Sequence, residues 1–519
     1  MTNTSGIDVP TVREFSTIAA ESDPTRVAFG AGPDGRTVTW REFEDASRRA
    51  GHAFADHAAQ GDRVAFLCEN SLDHVTLWNG AVKAGCVVSN LHHGAAPATI
   101  RSCIDDLRPR VLVVDEAFAE FVAEDVLPEI TTDPSAVVTI GSATELSGPS
   151  MAAFVADRPT TPLDVRVRER DVAAVVWTSG TTGPPKGWCH THRGLVLRSF
   201  KLATKGGTDR NSRIPHVFTP SFAAWYAVTL PAMFTRAATY FVSDWDPAAY
   251  LRTIEARRLT TALLVPTMWR ELLDTPDLDA YDLDSLRYVE SAGERLGERT
   301  LDRLRERICE RVYNSYGTTE VVVSSLTAAE QDPERIGSVG KPHPGTRVRI
   351  VDPDGTPDDT LPPGEVGEIV VRGADSAVWI WGDTGRTADA FDDGWWRSGD
   401  LGYRDADGYL FLQGRADFVI KSKGVKVTPT RLEDHIGAHP GVAEVAVVGV
   451  DDPEYGQKVT AVVRRSDPSV TAEDLDEWCL AGDAVGRRER PREYRFTEEP
   501  LPRTASGKLD RRAARERTA

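Results

Sequence analysis

One loop constrains this chain more than any other stretch, the ten residues 178–187. They follow an apolar run at 172–177 that predicts a buried strand. Glycines let backbone amides approach a ligand closely, and hydroxyl and ammonium groups add donors for anionic oxygens. The composition therefore predicts a phosphate-binding loop rather than an ordinary turn. Its four hydroxyl residues, three glycines and one lysine are Thr178, Ser179, Thr181, Thr182, Gly180, Gly183, Gly187 and Lys186.

The loop differs from the common P-loop of nucleotide-binding proteins. That motif places Gly-Lys-Ser/Thr at the start of a helix, whereas Lys186 follows two prolines and precedes Gly187 and Trp188. A literal Gly-x-Gly-x-x-Gly occurs at 30–35, but turn residues fill it and strand-like residues follow, so we expect a hairpin turn. His92 and His93 lack a carboxylate or cysteine cluster nearby in the sequence, so we predict no metal site there.

The composition sets broad limits on the class of protein. At 519 residues the chain is too long for one core and should form at least two domains. The net charge of −18 argues against a general nucleic-acid binder, and no apolar run is long enough to span a membrane. The first residues lack the features of a signal peptide and the six cysteines form no C-x-x-C pair, which predicts a cytoplasmic protein.

A second polar segment, at 314–320, combines an amide, several hydroxyls and one carboxylate. We interpret it as a hydroxyl-rich turn. Because Mg²⁺ commonly takes one or two protein carboxylates together with phosphate oxygens, such a turn suits a site for phosphate plus metal. Its members are Asn314, Ser315, Tyr316, Gly317, Thr318, Thr319 and Glu320.

Five motifs, in order along the chain, resemble those of the adenylate-forming superfamily. This superfamily includes acyl-CoA synthetases, the adenylation domains of peptide synthetases and beetle luciferases, and the resemblance to acyl-CoA synthetases is the closest. A weaker match at 286–296 contains Ser291 and Gly293. The resemblance covers nearly the whole chain. The five motifs lie at 178–187, 314–320, 393–402, 414–421 and 501–509.

The resemblance implies a role for each motif. ATP and AMP would be bound by the loop residues from Thr178 to Lys186, by Gly293 and by the segment 314–319, with Tyr316 near the adenine and Thr319 on the α-phosphate. Asp400 would accept both ribose hydroxyls, and Arg415 would contact ribose or phosphate. Glu320 would hold Mg²⁺. Lys508 would be the catalytic lysine, acting with Thr319 and Glu320.

The same resemblance places the acid pocket at Phe222, Ala223, Trp225 and Ser291. Ala223 stands where amino-acid-activating domains have Asp and many acyl-CoA synthetases have His. No charge is therefore present to compensate a buried ammonium group. We expect a bulky, largely apolar acid without a free α-amine. The alternative is that these aromatic side chains belong to the core.

The predicted fold class is α/β. Alternating helix and strand patterns indicate a large N-terminal domain of βαβ-type sheets at 1–413, with a small β-barrel-like subdomain at 337–412. A small mobile α+β domain would follow at 414–519, with its hinge near Asp417. The path of the CoA thiol would pass Lys423 and Gly424, where the family usually has Gly-Gly-Glu.

The predicted function is that of an AMP-forming carboxylate–CoA ligase. ATP, Mg²⁺ and CoA would convert the acid to an acyl-adenylate and then to a thioester. A carrier-protein thiol or an amine could replace CoA as the acceptor. The enzyme could also catalyse one half reaction only, because Trp188 stands where the family usually has a small aliphatic residue. Retention of Lys508, Glu320 and Asp400 speaks against a silent nucleotide-binding regulator.

Overall fold

The computed structural model describes residues 10–142, 144–178, 184–326, 335, 337–481, 485–503 and 509–516, with backbone only at 323–326. The chain divides into two compact units. The first comprises Met1–Asp332, Pro342–Arg347 and Arg372–Phe391, and the second comprises Pro333–Lys341, Val348–Val371 and Asp392–Ala519. The domain boundary at 413/414 divides the sequence differently and stays a prediction.

The helices are numbered along the chain. Short 3₁₀ or π turns accompany them at Val12–Glu14, Glu116–Phe118, Val122–Val126, Leu127–Glu129, Leu278–Ala280 and Ala416–Phe418. The α-helices are α1 (Phe15–Ser22), α2 (Trp40–Ala55), α3 (Leu72–Lys83), α4 (Pro97–Leu107), α5 (Ala119–Phe121), α6 (Met151–Val155), α7 (His192–Gly206), α8 (Ala223–Thr235), α9 (Pro247–Arg257), α10 (Pro266–Leu273), α11 (Glu298–Arg307), α12 (Thr384–Ala390), α13 (Pro429–Gly437), α14 (Ala472–Ala481) and α15 (Arg511–Glu516).

The strands are numbered in the same way. They are β1 (Val27–Ala31), β2 (Thr37–Thr39), β3 (Arg63–Leu67), β4 (Val87–Asn90), β5 (Val111–Asp115), β6 (Ala136–Ile140), β7 (Val172–Thr178), β8 (Lys186–Thr191), β9 (Arg213–His216), β10 (Ala238–Phe241), β11 (Thr261–Leu264), β12 (Tyr288–Ala292), β13 (Val312–Gly317), β14 (Val322–Leu326), β15 (Lys341–Pro342), β16 (Thr346–Val351), β17 (Gly367–Gly373), β18 (Trp379–Ile380), β19 (Phe391–Asp392), β20 (Trp395–Arg404), β21 (Leu410–Arg415), β22 (Ile420–Ser422), β23 (Val425–Val427), β24 (Val442–Asp452), β25 (Gly456–Arg465) and β26 (Glu493–Thr497).

Parallel pairing dominates the sheets of the first unit. A seven-stranded sheet has the order β18-β8-β7-β4-β3-β5-β6, and its strands β3 to β7 are parallel. A four-stranded sheet has the order β2-β1-β10-β9, and β11, β12 and β13 form a third parallel set with β14 antiparallel to β13. Helices connect the parallel strands, as the alternating pattern predicted.

The core of the first unit has an aromatic centre between α3 and α8. The rings of Trp78 and Trp225 lie 5.2 Å apart, and that of Tyr226 lies 5.1 Å from Trp225. Helix α2 begins with a capping box, in which the side chains of Thr39 and Glu42 each accept a hydrogen bond from the other residue's backbone amide. Its buried positions recur at helical spacing, so one face enters this core.

The Gly-rich sequence at 30–35 is a hairpin turn, as predicted. Strands β1 and β2 are antiparallel on either side of it. The amide of Ala31 donates to the carbonyl of Arg36 over 3.0 Å, which closes the turn. No helix begins after this turn until Trp40, so it lacks the helix N-terminus on which a pyrophosphate would rest.

The second unit contains two smaller sheets. In one, β17 lies between β16 and β20, and β21 pairs antiparallel with β20. In the other, the order is β23-β22-β25-β24, with β26 parallel to β25 and α13 packed on β24. The predicted fold class is thus confirmed, including the small β subdomain and the α+β C-terminal region. Among the described residues, no helix is long and apolar enough to cross a membrane.

Candidate functional site

The two stems of the predicted phosphate loop are neighbouring strands. Strand β7 ends at Thr178 and β8 begins at Lys186, and these two residues lie directly opposite each other in an antiparallel ladder. Ser179, Gly180, Thr181, Thr182 and Gly183 lie outside the described residues. The loop therefore leaves and re-enters the sheet at adjacent positions.

Side chains hold both stems in place. The indole N–H of Trp188, a residue only 2% exposed, donates to the hydroxyl of Thr178 over 3.2 Å. At the other stem, Arg386 donates to the carbonyl of Pro184 over 3.2 Å and is itself held by Asp383 at 2.6 Å. The sequence shows Trp188 as a departure from the family pattern, but its contact with Thr178 was not predicted.

The segment 314–320 is strand for more than half of its length, which corrects its interpretation as a turn. Residues 314–317 belong to β13, and the turn begins only at Thr318. The Thr318 hydroxyl accepts hydrogen bonds from the amides of Glu320 and Val321 at 3.2 and 3.3 Å. Thr318 therefore shapes the turn, and the half-exposed Thr319 and Glu320 lie at its tip.

The strand part of this segment is buried. Asn314, Ser315 and Tyr316 are at most 8% exposed, whereas Gly317 is exposed. Lys205 of α7 donates to the Ser315 hydroxyl over 3.2 Å and forms an ion pair with Glu290 of β12. The Ser315 hydroxyl is thus engaged by a buried ammonium group.

A buried ionic network supports the turn at Thr319. Arg198 of α7 donates to the Thr319 carbonyl over 3.1 Å, and its Nε lies 4.0 Å from the carboxylate of Asp375. Asp375 also pairs with Lys201 and accepts the amide of Val322 over 3.2 Å. Burial lowers the pKa of Arg198, while the charges of Asp375 and Glu320 raise it. The turn is therefore anchored from inside by a guanidinium group.

This ionic network was not predicted, although the sequence of α7 contains a signal for it. Arg198, Lys201 and Lys205 recur at positions i, i+3 and i+7, which places them on one face of α7. Arg198 and Lys201 are at most 6% exposed, so this is a basic face turned into the protein. A basic stripe on a helix that also carries apolar residues predicts buried carboxylate partners, here Asp375 and Glu290.

The four predicted acid-pocket residues fall into two groups. Phe222 precedes α8, Ala223 begins it, and both are half-exposed. Trp225 is fully buried, and its indole N–H donates to Asn70 over 2.9 Å, so the structure places this side chain in the aromatic core. Ser291 is also fully buried, and its hydroxyl has no hydrogen-bond partner among the described residues. Of these four residues, Phe222 and Ala223 are therefore the two with exposed surface.

Gly293 directly follows β12 and has a φ of +90°, a conformation that favours glycine. The segment is therefore a strand followed by a turn. Its register with β13 pairs Ala292 with Ser315, so the turn at Gly293 lies close to the carboxyl end of the neighbouring strand. The approach of an adenine ring to this turn stays a prediction.

The second unit brings Asp400 and Arg415 together. They lie opposite each other on β20 and β21, and the guanidinium contacts the carboxylates of Asp400 and Asp417 at 3.3 and 3.2 Å. Gly399 has a φ of +68°, and a Cβ there would come within 3.0 Å of the Arg415 guanidinium. A side chain at position 399 would thus displace the group that holds both carboxylates.

Lys423 and Gly424 form a two-residue turn between β22 and β23. Their φ values of +45° and +79° are those of a hairpin turn that favours glycine at both positions. The Lys423 ammonium lies 4.3 Å from the centre of the Tyr455 ring and 2.5 Å from Glu454. The backbone therefore keeps a glycine-like shape at Lys423, and the side chain is drawn toward Glu454.

The catalytic lysine and the Mg²⁺ ligand are the remaining predicted elements of the site. Lys508 lies outside the described residues. No group of three or more metal-ligating side chains occurs in the part of the chain that the structure describes. A Mg²⁺ ion that takes most of its oxygen ligands from phosphate groups needs only one or two protein carboxylates. The carboxylate of Glu320, at the tip of its turn, fits that requirement.

Comparisons with known proteins agree with this arrangement. The sequence model described as AMP-binding enzyme matches residues 17–378, and that of the AMP-binding enzyme C-terminal domain matches 431–508. The 3-hydroxybenzoate–CoA ligase of Aromatoleum sp. (strain CIB) is 31% identical over 489 residues, which cover 93% of this chain and 92% of the relative. The 3-hydroxybenzoate–CoA/4-hydroxybenzoate–CoA ligase of Thauera aromatica is 33% identical, with 92% and 91% covered.

Two further likenesses bear on the acceptor and on the fold. The fatty acid–[acyl-carrier-protein] ligase ScoC of Streptomyces coeruleorubidus is 30% identical, with 98% of this chain and 96% of the relative covered. The crystal structure of the anthranilate CoA ligase AuaEII in complex with anthranoyl-AMP superposes with a TM-score of 0.90 at 25% identity, covering 100% of this chain and 99% of that one. The chain therefore belongs to the AMP-binding enzyme family, and its predicted activity as an AMP-forming acid–CoA ligase that uses ATP, Mg²⁺ and CoA agrees with that of its relatives.

Proposed function

We propose that this AMP-binding enzyme joins an aromatic carboxylic acid to coenzyme A. The observation that carries the choice of acid is the half-exposed pair Phe222 and Ala223 at the start of α8. An aromatic ring and a methyl group supply apolar surface and no charge, which suits an aryl ring and disfavours an ammonium group. The hydroxybenzoate ligases among the relatives support the same class of acid.

In the first half reaction, a carboxylate oxygen of the acid attacks the α-phosphorus of ATP. The bond from that phosphorus to the bridging oxygen breaks, and pyrophosphate leaves with the bonding electrons. We assign Thr178 and Lys186 to the pyrophosphate and Thr319 to the α-phosphate, because donors placed where charge develops lower the barrier. Mg²⁺ held by Glu320 would supply further positive charge. Asp400 and Arg415 would bind the ribose.

In the second half reaction, the thiolate of CoA attacks the acyl carbon and AMP leaves. We assign the guidance of the thiol to the turn at Lys423 and Gly424. The lysine side chain, drawn toward Glu454, would leave the glycine-like backbone of this turn open to the acceptor. The hinge near Asp417 is part of the same proposal.

A carrier-protein thiol is the second candidate acceptor. Two observations support this candidate. One relative is a fatty acid–carrier-protein ligase, and Lys423 stands where the family usually has glycine. An acidic protein partner would meet the half-exposed side chain of Lys423 by replacing Glu454 as its ion-pair partner. The two acceptors share the first half reaction and differ only in the second.

We also propose that the enzyme works in the cytoplasm. All six cysteines are free thiols, and five of them are buried: Cys68, Cys86, Cys103, Cys189 and Cys479. Free thiols persist where the surroundings are reducing. This observation supports a reducing compartment.

The test is a pyrophosphate-release screen with benzoate, hydroxybenzoates, cinnamic acids, fatty acids and amino acids, each with and without CoA. We expect turnover with one or more aryl acids, formation of the aryl-CoA thioester, and none with free amino acids. Offering a phosphopantetheinylated carrier protein in place of CoA separates the two acceptors. Turnover with amino acids only, or with fatty acids only, would contradict the proposed acid.

The Lys508→Ala variant tests the role assigned to that lysine. We expect adenylation to fall by about 10²–10³-fold, because one preorganised cation near the reacting phosphate is lost. Thioester formation from a supplied acyl-adenylate should stay near the wild-type rate, since no bond to phosphorus forms or breaks in that step. Stopped-flow assays of each half reaction give both values. Equal losses in the two half reactions would contradict the assignment.

A further inference from the structure

Trp188 occupies an unusual place beside the phosphate loop. It lies on β8 opposite Val176 of β7, and its side chain is 2% exposed. The indole N–H donates to the Thr178 hydroxyl over 3.2 Å, while the ring meets Phe391 edge-on at 6.2 Å. A large aromatic residue thus contacts Thr178, which is both the last residue of β7 and the first residue of the loop.

The polarity of this hydrogen bond has a chemical consequence. A threonine hydroxyl has one proton and two lone pairs, whereas an indole nitrogen can only donate. When the Thr178 hydroxyl accepts from Trp188, its own proton must point elsewhere. The hydroxyl is then oriented as a donor, which is the form that a phosphate oxygen requires.

We propose that Trp188 is a positioning residue that fixes the Thr178 hydroxyl as a donor to the β- and γ-phosphates of ATP. The inference rests on the proposed function and deepens it, since it assigns a task in the first half reaction only. A residue that merely fills the core would affect both half reactions through stability. A residue that orients Thr178 affects the binding of the polyphosphate and leaves the binding of AMP unchanged.

The experiment compares Trp188→Phe with the wild-type enzyme and with Phe391→Leu. The first variant keeps an aromatic ring and loses the N–H, whereas the control keeps the N–H and loses the ring contact. Calorimetry with a non-hydrolysable ATP analogue and with AMP measures both affinities. For Trp188→Phe we expect the analogue to bind about tenfold more weakly, the value of one hydrogen bond, with AMP affinity within about twofold of wild type. Phe391→Leu should bind both ligands as the wild-type enzyme does.

A double-mutant cycle with Thr178→Val tests whether the effect passes through Thr178. In the Thr178→Val background, Trp188→Phe should cause no further loss of analogue affinity. If Trp188→Phe folds poorly by its melting temperature, Thr178→Val still exposes the proposal to failure, because equal effects on the analogue and AMP in that variant would mean that the Thr178 hydroxyl does not bind the polyphosphate.

Several outcomes would overturn the inference. One is equal weakening of the analogue and AMP, and another is an unchanged affinity for the analogue in Trp188→Phe. A third is an additive cycle, in which Trp188→Phe weakens binding equally with and without the Thr178 hydroxyl. A wild-type enzyme that binds the analogue but activates no acid would contradict the proposed function and leave the affinity comparison valid.

Discussion

Arg198 is a buried side chain with two roles, an ionic one and a structural one. It is 3% exposed, and its guanidinium bonds the carbonyl of Thr319 while lying near Asp375. A buried charge is destabilising unless it is paired, and here the pairing also fixes the turn that carries Thr319 and Glu320. Lys201 shares the same carboxylate but has no bond to Thr319, so the two cations form a natural comparison.

The Arg198→Met variant should lose activity beyond its loss of stability. Asp375 keeps Lys201 as a partner, so the main cost is the loss of the hydrogen bonds that Arg198 donates. We therefore expect the free energy of unfolding to fall by about 1–3 kcal/mol. Adenylation at a temperature where the protein is folded should fall about tenfold or more, because Thr319 is no longer held. Urea unfolding and pyrophosphate-release rates measure the two effects.

Lys201→Met is the matched control for that variant. It breaks the other half of the same ionic network and should lower the stability by a similar amount, with adenylation close to wild type once folded. Equal losses of activity in the two variants would show that Arg198 acts through the stability of the fold alone. The Thr319 contact would then have no separate role.

At the scale of helices and strands, the sequence predicted the elements that carry clear periodicity. The apolar run at 172–177, predicted as a buried strand, is β7, and the Gly-x-Gly-x-x-Gly segment at 30–35 is the predicted hairpin turn. The prediction of a turn at 314–317 was wrong. Hydroxyl and glycine residues indicate turns, but the neighbouring strands β12 and β14 pair with this segment and make it a strand. Tertiary pairing of this kind cannot be read from a single segment.

The contact between α2 and α3 depends on a glycine. A Cβ at Gly80 would come within 2.5 Å of the Ala50 Cβ and 3.0 Å of the Gly51 nitrogen. The Gly80→Ala variant should therefore be less stable by about 1–3 kcal/mol, because the helices must move apart in a packed core. Thermal unfolding followed by circular dichroism measures the difference.

Gly385→Ala, on α12, is the matched control for this prediction. The nearest atom to its added Cβ would be an Asp383 oxygen at 3.6 Å, an ordinary contact. Alanine has the higher helix propensity, so stability should be unchanged or raised by up to about 1 kcal/mol. A Gly80→Ala protein as stable as Gly385→Ala would disprove the tight contact between α2 and α3.

At the scale of the whole molecule, the sequence predicted the order of motifs but not the groups that hold them. Each motif is a short run of consecutive residues, so the sequence alone was enough to identify Thr319, Asp400 and the stems of the loop. Their supports come from distant positions: Arg198 is 121 residues from Thr319, and Arg386 is 202 residues from Pro184. Such pairs need the fold, because no local pattern links them.

The core of the first unit should make the protein acid-sensitive. Complete burial lowers the pKa of His74 to about 4 and that of His216 to about 3. In the unfolded chain both take up a proton near pH 6.5, so the unfolded state binds more protons between about pH 6.5 and 4. Stability should therefore fall as the pH falls through this window, by roughly 3 kcal/mol for His74 alone.

Urea unfolding at several pH values between 7.5 and 4.5 measures this slope. In the wild-type protein His74 bonds the side-chain oxygen of Asn90 over 2.9 Å, and the His74→Gln variant keeps an amide that can donate to it. The variant should show a shallower dependence on pH than the wild-type protein. Identical slopes would mean that His74 does not contribute to the acid sensitivity.

The buried thiols have a practical consequence for measuring motion. Burial raises the pKa of Cys86, Cys103 and Cys189 to about 12, so these groups are neither exposed nor ionised in the folded protein. An alkylating reagent needs access and a thiolate, so it can modify them only while the surrounding structure is open. Mass spectrometry of the modified enzyme would thus measure how fast each cysteine is alkylated, and hence how often the structure around it opens. A slower rate with ATP than without it would show which part of the chain the nucleotide stabilises.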